Sequence, residues 1–211
     1  QFLRDVVQEV GQYLNSQTSA VATGEGQFQG TEQDYLNFLI EVLGAIEQSQ
    51  GNPQVVYPLL QQNLDKLDLT LAETLPDLAS QVFGQVESSQ AYGIAGVIFL
   101  FGNLIQQFPL GNRADNLEIA IASYESVLKV FTREVYPQDW AVTQNNLGAV
   151  YEPLGKFQEA LEVYTQALEL HERANNRVGL ASSLNNLGLL YDALGNFELS
   201  LDYYKRSLSL W

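Results

Sequence analysis

Residues 145–168, NNLGAVYEPLGKFQEALEVYTQAL, recur forty residues later as residues 185–208, NNLGLLYDALGNFELSLDYYKRSL. The identities all fall at this one offset and at helical intervals. They include Asn145/Asn185, Asn146/Asn186, Leu147/Leu187, Gly148/Gly188, Tyr151/Tyr191, Phe157/Phe197, Tyr164/Tyr204 and Leu168/Leu208. Self-similarity at a fixed period of this size indicates an array of repeated structural units.

Each copy has the pattern of a helical hairpin. Gly148 lets the first helix press close against the second, and we expect Ala160 to supply the matching small surface. Gly155, followed by Phe157, makes the turn. Larger side chains fill the space around the contact: Leu147, Tyr151, Leu161, Tyr164 and Leu168. One hairpin cannot bury its apolar face alone, so the copies should stack into a solenoid.

These residues resemble the tetratricopeptide repeat, whose pattern is Leu-Gly, then Tyr, Gly-x-aromatic, Ala, an aromatic residue and Ala. The match runs from Ala141 to about Leu210. The family's usual period is about 34 residues. The 40-residue version is similar to the repeats of kinesin light chains and of cyanobacterial proteins that carry a caspase-like CHAT domain. The resemblance implies a right-handed α-solenoid that binds other proteins.

A partial third copy precedes the two complete ones, with Leu117, Ala120 and Tyr124 matching a second helix and Phe101-Gly102 serving as its Leu-Gly. The predicted organisation is a helical N-terminal region, 1–110, which contains either unrelated helices or degenerate repeats, followed by repeats at 111–211. The repeat region comprises the partial copy 111–136 and the copies 141–173 and 181–211. Because no polar capping element follows the last copy, we expect more repeats or another domain beyond Trp211.

Apolar residues at three- and four-residue spacing predict helices in the N-terminal region as well. The apolar faces of three predicted helices run over Phe2–Leu14, Tyr35–Ile46 and Val55–Leu67, and Gly51-Asn-Pro53 ends the second helix and starts the third. Two further predicted helices run from about Leu71 to Val86 and from about Gln90 to Phe108. We predict a loop over Ala22–Gly30, a capping box at Thr31–Asp34, and an N-cap at Asp139. No segment has the period-two alternation of a strand. The predicted fold class is therefore all-α.

Charge excludes some classes of partner. The net charge is −15, and the first hundred residues carry twelve acidic side chains against two basic ones, Arg4 and Lys66. Such a surface repels a phosphate backbone and anionic lipids, so we expect neither nucleic-acid binding nor membrane insertion. The apolar run Tyr92–Gly102 is shorter than the roughly 20 residues that a membrane span needs, which favours a buried core helix.

The residues that carry enzyme chemistry are scarce. The chain has no cysteine, so thiolate metal sites and cysteine nucleophiles are excluded, and the compartment stays open. His171 is the only histidine, and it lies at the end of a repeat helix. A histidine there more often interacts with the helix dipole than acts as a catalytic base. No phosphate-binding loop or nucleophile elbow is present. We therefore expect no enzyme activity, no cofactor and no metal.

The predicted binding surface is the concave groove that the first helices line in this family. In its peptide-binding members, the asparagine before Leu-Gly hydrogen-bonds the ligand backbone, which implies that role for Asn146 and Asn186. Helical spacing adds neighbours on the same face, and the full set is Val142, Asn145, Asn146, Ala149, Glu152, Ser182, Asn185, Asn186, Leu189 and Asp192. The alternative is that these asparagine pairs only favour the helix locally.

The leading hypothesis is a cytoplasmic scaffold or adaptor that holds a peptide or helix in this groove. The second is a regulatory or sensor segment of a larger multidomain enzyme, such as a CHAT-type protease, which would bind another part of the same protein. A stand-alone helical enzyme is the third hypothesis. The sequence leaves the oligomeric state open.

Overall fold

The computed structural model describes residues 29–210, and these contain nine α-helices, two short 3-10 helices (Leu64–Lys66 and Glu152–Leu154) and no strand. The α-helices are α1 Gln29–Ser49, α2 Pro53–Gln62, α3 Leu69–Gln85, α4 Ser88–Gln107, α5 Arg113–Val127, α6 Pro137–Tyr151, α7 Phe157–Arg173, α8 Arg177–Ala193 and α9 Phe197–Leu208. The all-α prediction is confirmed. The predicted helix Phe2–Leu14 and most of the predicted loop lie outside the described residues.

The chain divides into two compact units, residues 1–130 and 131–211. The first contains α1 to α5 and the second contains the two hairpins α6–α7 and α8–α9. The boundary falls inside the partial copy 111–136, whose α5 lies in the first unit. Grouping that copy with the complete repeats stays a prediction.

Helix α1 begins at a different residue from the one expected, whereas α2 begins at Pro53, where the sequence predicts it. Helix α1 already begins at Gln29, so the predicted capping box at Thr31–Asp34 is wrong, and the end of the predicted loop is helical. N-caps form on the later helices of this unit, and α2 and α3 are two examples. Asn52 accepts a hydrogen bond from the Gln54 amide, and Asp68 accepts one from Leu71. A side-chain oxygen here satisfies amides that the first turn of a helix leaves unpaired.

Helix α4 is the most apolar helix of unit one. It spans 20 residues with a mean hydropathy of 1.3, so its length and composition alone would allow it to cross a membrane. The short apolar run Tyr92–Gly102 predicts that this segment does not span a membrane. The helix is longer than that run, so its length does not exclude a membrane span. Its buried residues join the core of unit one: Ala91, Ile94, Ala95, Ile98, Phe101, Gly102, Leu104 and Ile105. A core helix passes the same test, so the hydropathy is weak evidence for a span.

Helices α4 and α5 meet through a glycine and a tyrosine. A Cβ atom on Gly102 would lie 2.8 Å from Cε1 of Tyr124, and the tyrosine is fully buried. The turn between these helices is held by Asn116, whose Nδ2 donates to the Leu110 carbonyl at 2.8 Å. The contact of Gly102 with Tyr124 supports the interpretation of Phe101-Gly102 as the Leu-Gly of the partial copy.

The two hairpins of unit two have the same turn. Gly155 and Gly195 adopt left-handed backbone angles, φ 72° and 75°, that glycine reaches without steric cost. Pro153 lies in the 3-10 turn directly before Gly155. Asn176 and Asn196 then cap α8 and α9 through their side-chain oxygens.

Helix α6 begins at Pro137, which follows the N-cap residue Tyr136. The prediction of Asp139 as N-cap is wrong, because Asp139 lies inside the first turn. A proline at the first helical position explains the earlier start, since its fixed φ suits the helix and it has no amide to leave unpaired. The negative charge of Asp139 near the N-terminus still stabilises α6 through its interaction with the helix dipole.

The close approach within each hairpin is made by glycine and tyrosine. A Cβ on Gly148 would lie 2.3 Å from Cε1 of Tyr164, and one on Gly188 would lie 2.6 Å from Cε1 of Tyr204. Ala160, expected to supply the matching small surface, is buried with Tyr164, Leu187 and Leu190 in one core cluster. The aromatic ring fills the notch that the absent side chain leaves.

Candidate functional site

The predicted binding residues of α6 fall into three classes of exposure. Val142 and Ala149 are exposed, and 44% of the Val142 surface is accessible. Asn146 and Glu152 are half-buried at the edge of the same face. Asn145 is buried, with 7% of its surface accessible. Residues three and four apart on a helix share a face, so the first four line one strip along α6.

Helix α8 repeats the strip. Ser182, Asn185, Leu189 and Asp192 are exposed, and Leu189 has 46% of its surface accessible. Asn186 is half-buried, as Asn146 is. We call the accessible members of both strips the groove face. It comprises Val142, Asn146, Ala149, Glu152, Ser182, Asn185, Asn186, Leu189 and Asp192.

Asn145 is not part of the groove face, because its amide is used inside the protein. Its Nδ2 donates to Oγ of Ser183 at 2.9 Å, and that hydroxyl donates to Asn145 Oδ1 at 3.0 Å. Ser183 is fully buried. The pair ties the first helix of one hairpin to the first helix of the next. The expectation that Asn145 offers its amide to a ligand does not fit this placement.

Sequence reasoning missed Ser183, although a signal was present. Forty residues earlier stands Thr143, which is also a buried hydroxyl residue. A small hydroxyl residue recurring at the repeat offset indicates a hydrogen-bonding position in the stack. Thr143 uses its hydroxyl within its own helix, donating to the Asp139 carbonyl at 2.7 Å.

Glu152 is the charged residue of the groove face whose environment is most perturbed. Its partial burial raises the pKa of its carboxyl group above the usual range, because the charged form loses solvation. The same carboxylate lies close enough to Tyr164 to help burial raise the pKa of that phenol. The charged form of a desolvated carboxylate is stabilised when a binding partner places a cation or a hydrogen-bond donor next to it.

His171 is fully buried in the last turn of α7. Its ring lies against Gly179, where a Cβ would approach Cε1 to 2.4 Å, and its Nδ1 lies 3.2 Å from Nδ2 of Asn176. Burial lowers the pKa of the imidazole. The ring therefore packs the junction between two hairpins and does not line the groove face. Across residues 29–210, no three acidic, histidine or cysteine side chains form a group that could hold a metal ion.

The sequence of unit two matches a known family. The sequence model of the tetratricopeptide repeat family matches residues 139–211, which is about a third of the chain. No curated protein matches the chain significantly.

One solved structure has a similar fold. The chain is similar to BtubC (BKLC) from P. vanneervenii at a TM-score of 0.54 and 21% identity, with 85% of this chain and 68% of that chain covered. Two structures of MamA align at a TM-score of 0.43 and 17% and 16% identity. These two alignments cover 78% and 83% of this chain, and each covers 91% of the MamA chain.

The glycine–tyrosine contacts, the left-handed turn glycines and the family match coincide on the same residues. Residues 139–211 of this chain are therefore tetratricopeptide repeats.

Proposed function

We propose that this chain is a protein-interaction module that binds an extended peptide segment of a partner along the groove face. Repeats of this family generally serve protein–protein interaction. The observation that carries the proposal is the repetition of chemistry on α6 and α8. Each helix presents an amide, Asn146 or Asn186, and each presents a carboxylate, Glu152 or Asp192, at the same interval.

The spacing of the two amides suits an extended chain. Packed helices lie about 8–10 Å apart. An extended peptide rises about 3.3 Å per residue, so equivalent side chains on α6 and α8 are spaced by about three peptide residues. An amide offers both a donor and an acceptor, which matches the N–H and C=O groups of a peptide backbone. Asn146 already has an interaction within the protein, so peptide binding would add to it or replace it.

The side chains of the groove face define the class of peptide. Val142 and Leu189 offer apolar contact area, and Glu152 and Asp192 add negative charge. Residues 131–211 carry ten acidic side chains against six basic ones. A peptide with an apolar residue flanked by lysine or arginine would be complementary. Like-charge repulsion should exclude acidic peptides.

The second candidate, a regulatory segment of a larger enzyme, would use the same groove face for another part of its own polypeptide. Its occupant would then be tethered, and tethering raises the effective concentration of the bound segment. The residues that contact the occupant are the same in both cases. The scaffold is the preferred function because the repeats alone are sufficient for it.

The test begins with peptides selected from a displayed random library against the 1–211 protein. Amide chemical shifts of the labelled protein, titrated with a selected basic–apolar peptide, locate the bound surface. We expect changes concentrated on α6 and α8. An acidic peptide of matched length is the control and should leave the spectrum unchanged. Changes confined to α7, α9 or unit one would show that the groove face is not the binding surface.

A further inference from the structure

The side chains of His171 and Asn176 meet where α7 ends and α8 begins. The Asn176 Oδ1 accepts a hydrogen bond from the Gly179 amide at 3.0 Å, and this bond is the N-cap of α8. The Nδ2 atom of the same side chain lies 3.2 Å from Nδ1 of His171. One amide side chain therefore caps a helix and contacts a buried imidazole at the same time.

The cap determines the orientation of the Asn176 amide, and that orientation determines where the imidazole carries its proton. Only the oxygen of an amide can accept from a backbone N–H, so the NH2 group faces His171. Because an NH2 group only donates, Nδ1 of His171 must accept and carries no proton. The proton of the neutral ring is then on Nε2, a buried atom with no hydrogen-bond partner among residues 29–210.

A charged imidazole does not fit this arrangement. Protonation of Nδ1 would set its N–H against the NH2 group of Asn176, so two donors would face each other. The ring has little room to turn away, because it is fully buried and a Cβ on Gly179 would lie 2.4 Å from both Cε1 and Nδ1. Asn176 is only half-buried, so its amide can turn over. That rotation presents Oδ1 to the imidazole and withdraws it from the Gly179 amide.

The charges at this end of the hairpins do not outweigh the burial of the imidazole. The C-terminal dipole of α7 favours a cation, yet burial lowers the pKa of His171. Two nearby acids already have partners, since Glu169 pairs with Arg133 at 3.6 Å and Glu172 pairs with Arg206 at 3.8 Å. The other charged side chains on the helix ends and the segment at this end are Glu134, Asp139, Arg173, Arg177 and Lys205.

We propose that protonation of His171 releases the Asn176 cap, so that the first turn of α8 loosens in mild acid while the rest of the hairpin stays folded. The junction between α7 and α8 then acts as a pH-sensitive switch. Above the ordinary imidazole pKa of about 6.5 the ring is neutral and the cap is retained, and burial moves the transition below that value. The switch does not depend on peptide binding by the groove face.

The cap of α9 provides an internal control. Asn196 accepts from the Leu199 amide at 3.2 Å, as Asn176 accepts from Gly179. The residue five positions before Asn196 is Tyr191, which carries no charge in mild acid. Helix α9 therefore has the same kind of cap without the switch.

The test is NMR spectroscopy of the nitrogen-labelled 1–211 protein from about pH 8 to about pH 5, a range that brackets the imidazole titration. In the neutral protein, we expect the chemical shifts of the ring nitrogens to identify Nδ1 as the unprotonated atom. As His171 becomes charged, the hydrogen-exchange protection factor of the Gly179 amide should fall about fivefold, the typical contribution of an N-cap. The protection factor of the Leu199 amide should stay constant.

Asn176→Asp separates the loss of the cap from the burial of the ring. A carboxylate has two accepting oxygens, so one can hold the Gly179 amide while the other accepts from the charged imidazole. Gly179 should then keep its protection in acid, and His171 should titrate at a higher pH than in the wild type. In His171→Phe, the protection of Gly179 should be independent of pH. Phenylalanine is the matched aromatic substitution, because Phe131 is the buried residue forty positions earlier.

A proton on Nδ1 in the neutral protein would overturn the proposal, and so would full protection of Gly179 once His171 is charged. An equal loss of protection at Leu199 would overturn it too, because the change would then not be confined to α8. Global unfolding before His171 becomes charged would have the same consequence.

Discussion

The ring of Tyr164 occupies the space that a side chain at position 148 would need. A Cβ atom on Gly148 would lie 2.3 Å from Cε1 of that ring, and real Cβ atoms do not approach a neighbour this closely. Gly188 and Tyr204 repeat the relationship in the next hairpin, at 2.6 Å. The glycine therefore sets the separation of the two helices in each hairpin, and the tyrosine ring fixes it.

Replacing Gly148 with leucine should destabilise unit two. Overpacking of this kind typically costs about 1–3 kcal/mol. The measurement is thermal or urea unfolding followed by circular dichroism. Gly93→Leu is the control, because Gly93 is a helical glycine of α4 and a Cβ atom there would meet nothing within 4 Å. The control should retain or raise the melting temperature, since glycine is a poor helix former. Equal midpoints for both variants would contradict the packing role of Gly148.

Asn145 and Asn185 are equivalent in sequence but should differ in their contribution to stability. Asn145→Ala removes both hydrogen bonds to the buried Ser183 and leaves that hydroxyl unpaired, at a cost of about 1–3 kcal/mol. Asn185 is exposed, so Asn185→Ala should change the free energy of unfolding by less than about 0.5 kcal/mol. Urea unfolding of the two variants measures the difference. The same loss in both would mean that the buried pair does not hold the hairpins together.

This pair of asparagines shows where the sequence is sufficient and where it is not. The forty-residue offset predicts the helices, the glycine turns and the residues at each hairpin contact, because those interactions lie within one copy. It cannot distinguish Asn145 from Asn185, because burial depends on which helix covers each one. For the same reason Phe157 and Phe197 match in sequence and differ in exposure.

The partial copy shows a second limit. Gly102 contacts Tyr124 as Gly148 contacts Tyr164, but the tyrosine follows twenty-two positions later instead of sixteen. Most of the six extra residues lie in α5, which begins eleven residues before Tyr124, whereas α7 begins seven residues before Tyr164. The offset therefore shifts while the contact is retained, and a search at fixed period finds only the second helix. The sequence predicts the start of α1 at Thr31 because threonine has the chemistry of a cap. The helix begins at Gln29, since local chemistry alone does not fix where a helix begins.

Stability should fall in mild acid because of His171. Burial lowers the pKa of this imidazole, so the folded state disfavours the charged form. Above the unfolded pKa of about 6.5 both states are neutral and the effect is absent; below it the unfolded state binds a proton that the folded state resists. Unfolding free energy should then fall by up to about 1.4 kcal/mol per pH unit, as the pH decreases toward the folded pKa.

The control for this pH dependence is His171→Gln, which removes the only histidine of the chain. Urea unfolding from about pH 8 to about pH 5.5 should give a shallower pH dependence for this variant than for the wild type, because the imidazole whose charged form the folded state disfavours is no longer present. Identical slopes for the two proteins would show that His171 is solvated or paired when charged.

We propose that the groove face binds a peptide through Asn146 and Asn186, and the dissociation constant of one selected basic–apolar peptide tests this claim. Calorimetric titration compares the wild type with the double variant Asn146→Ala and Asn186→Ala. Each lost hydrogen bond should cost about 0.5–1.5 kcal/mol, so the double variant should bind about 5- to 150-fold more weakly. Its melting temperature should stay close to that of the wild type. Unchanged affinity in a folded double variant would contradict the claim.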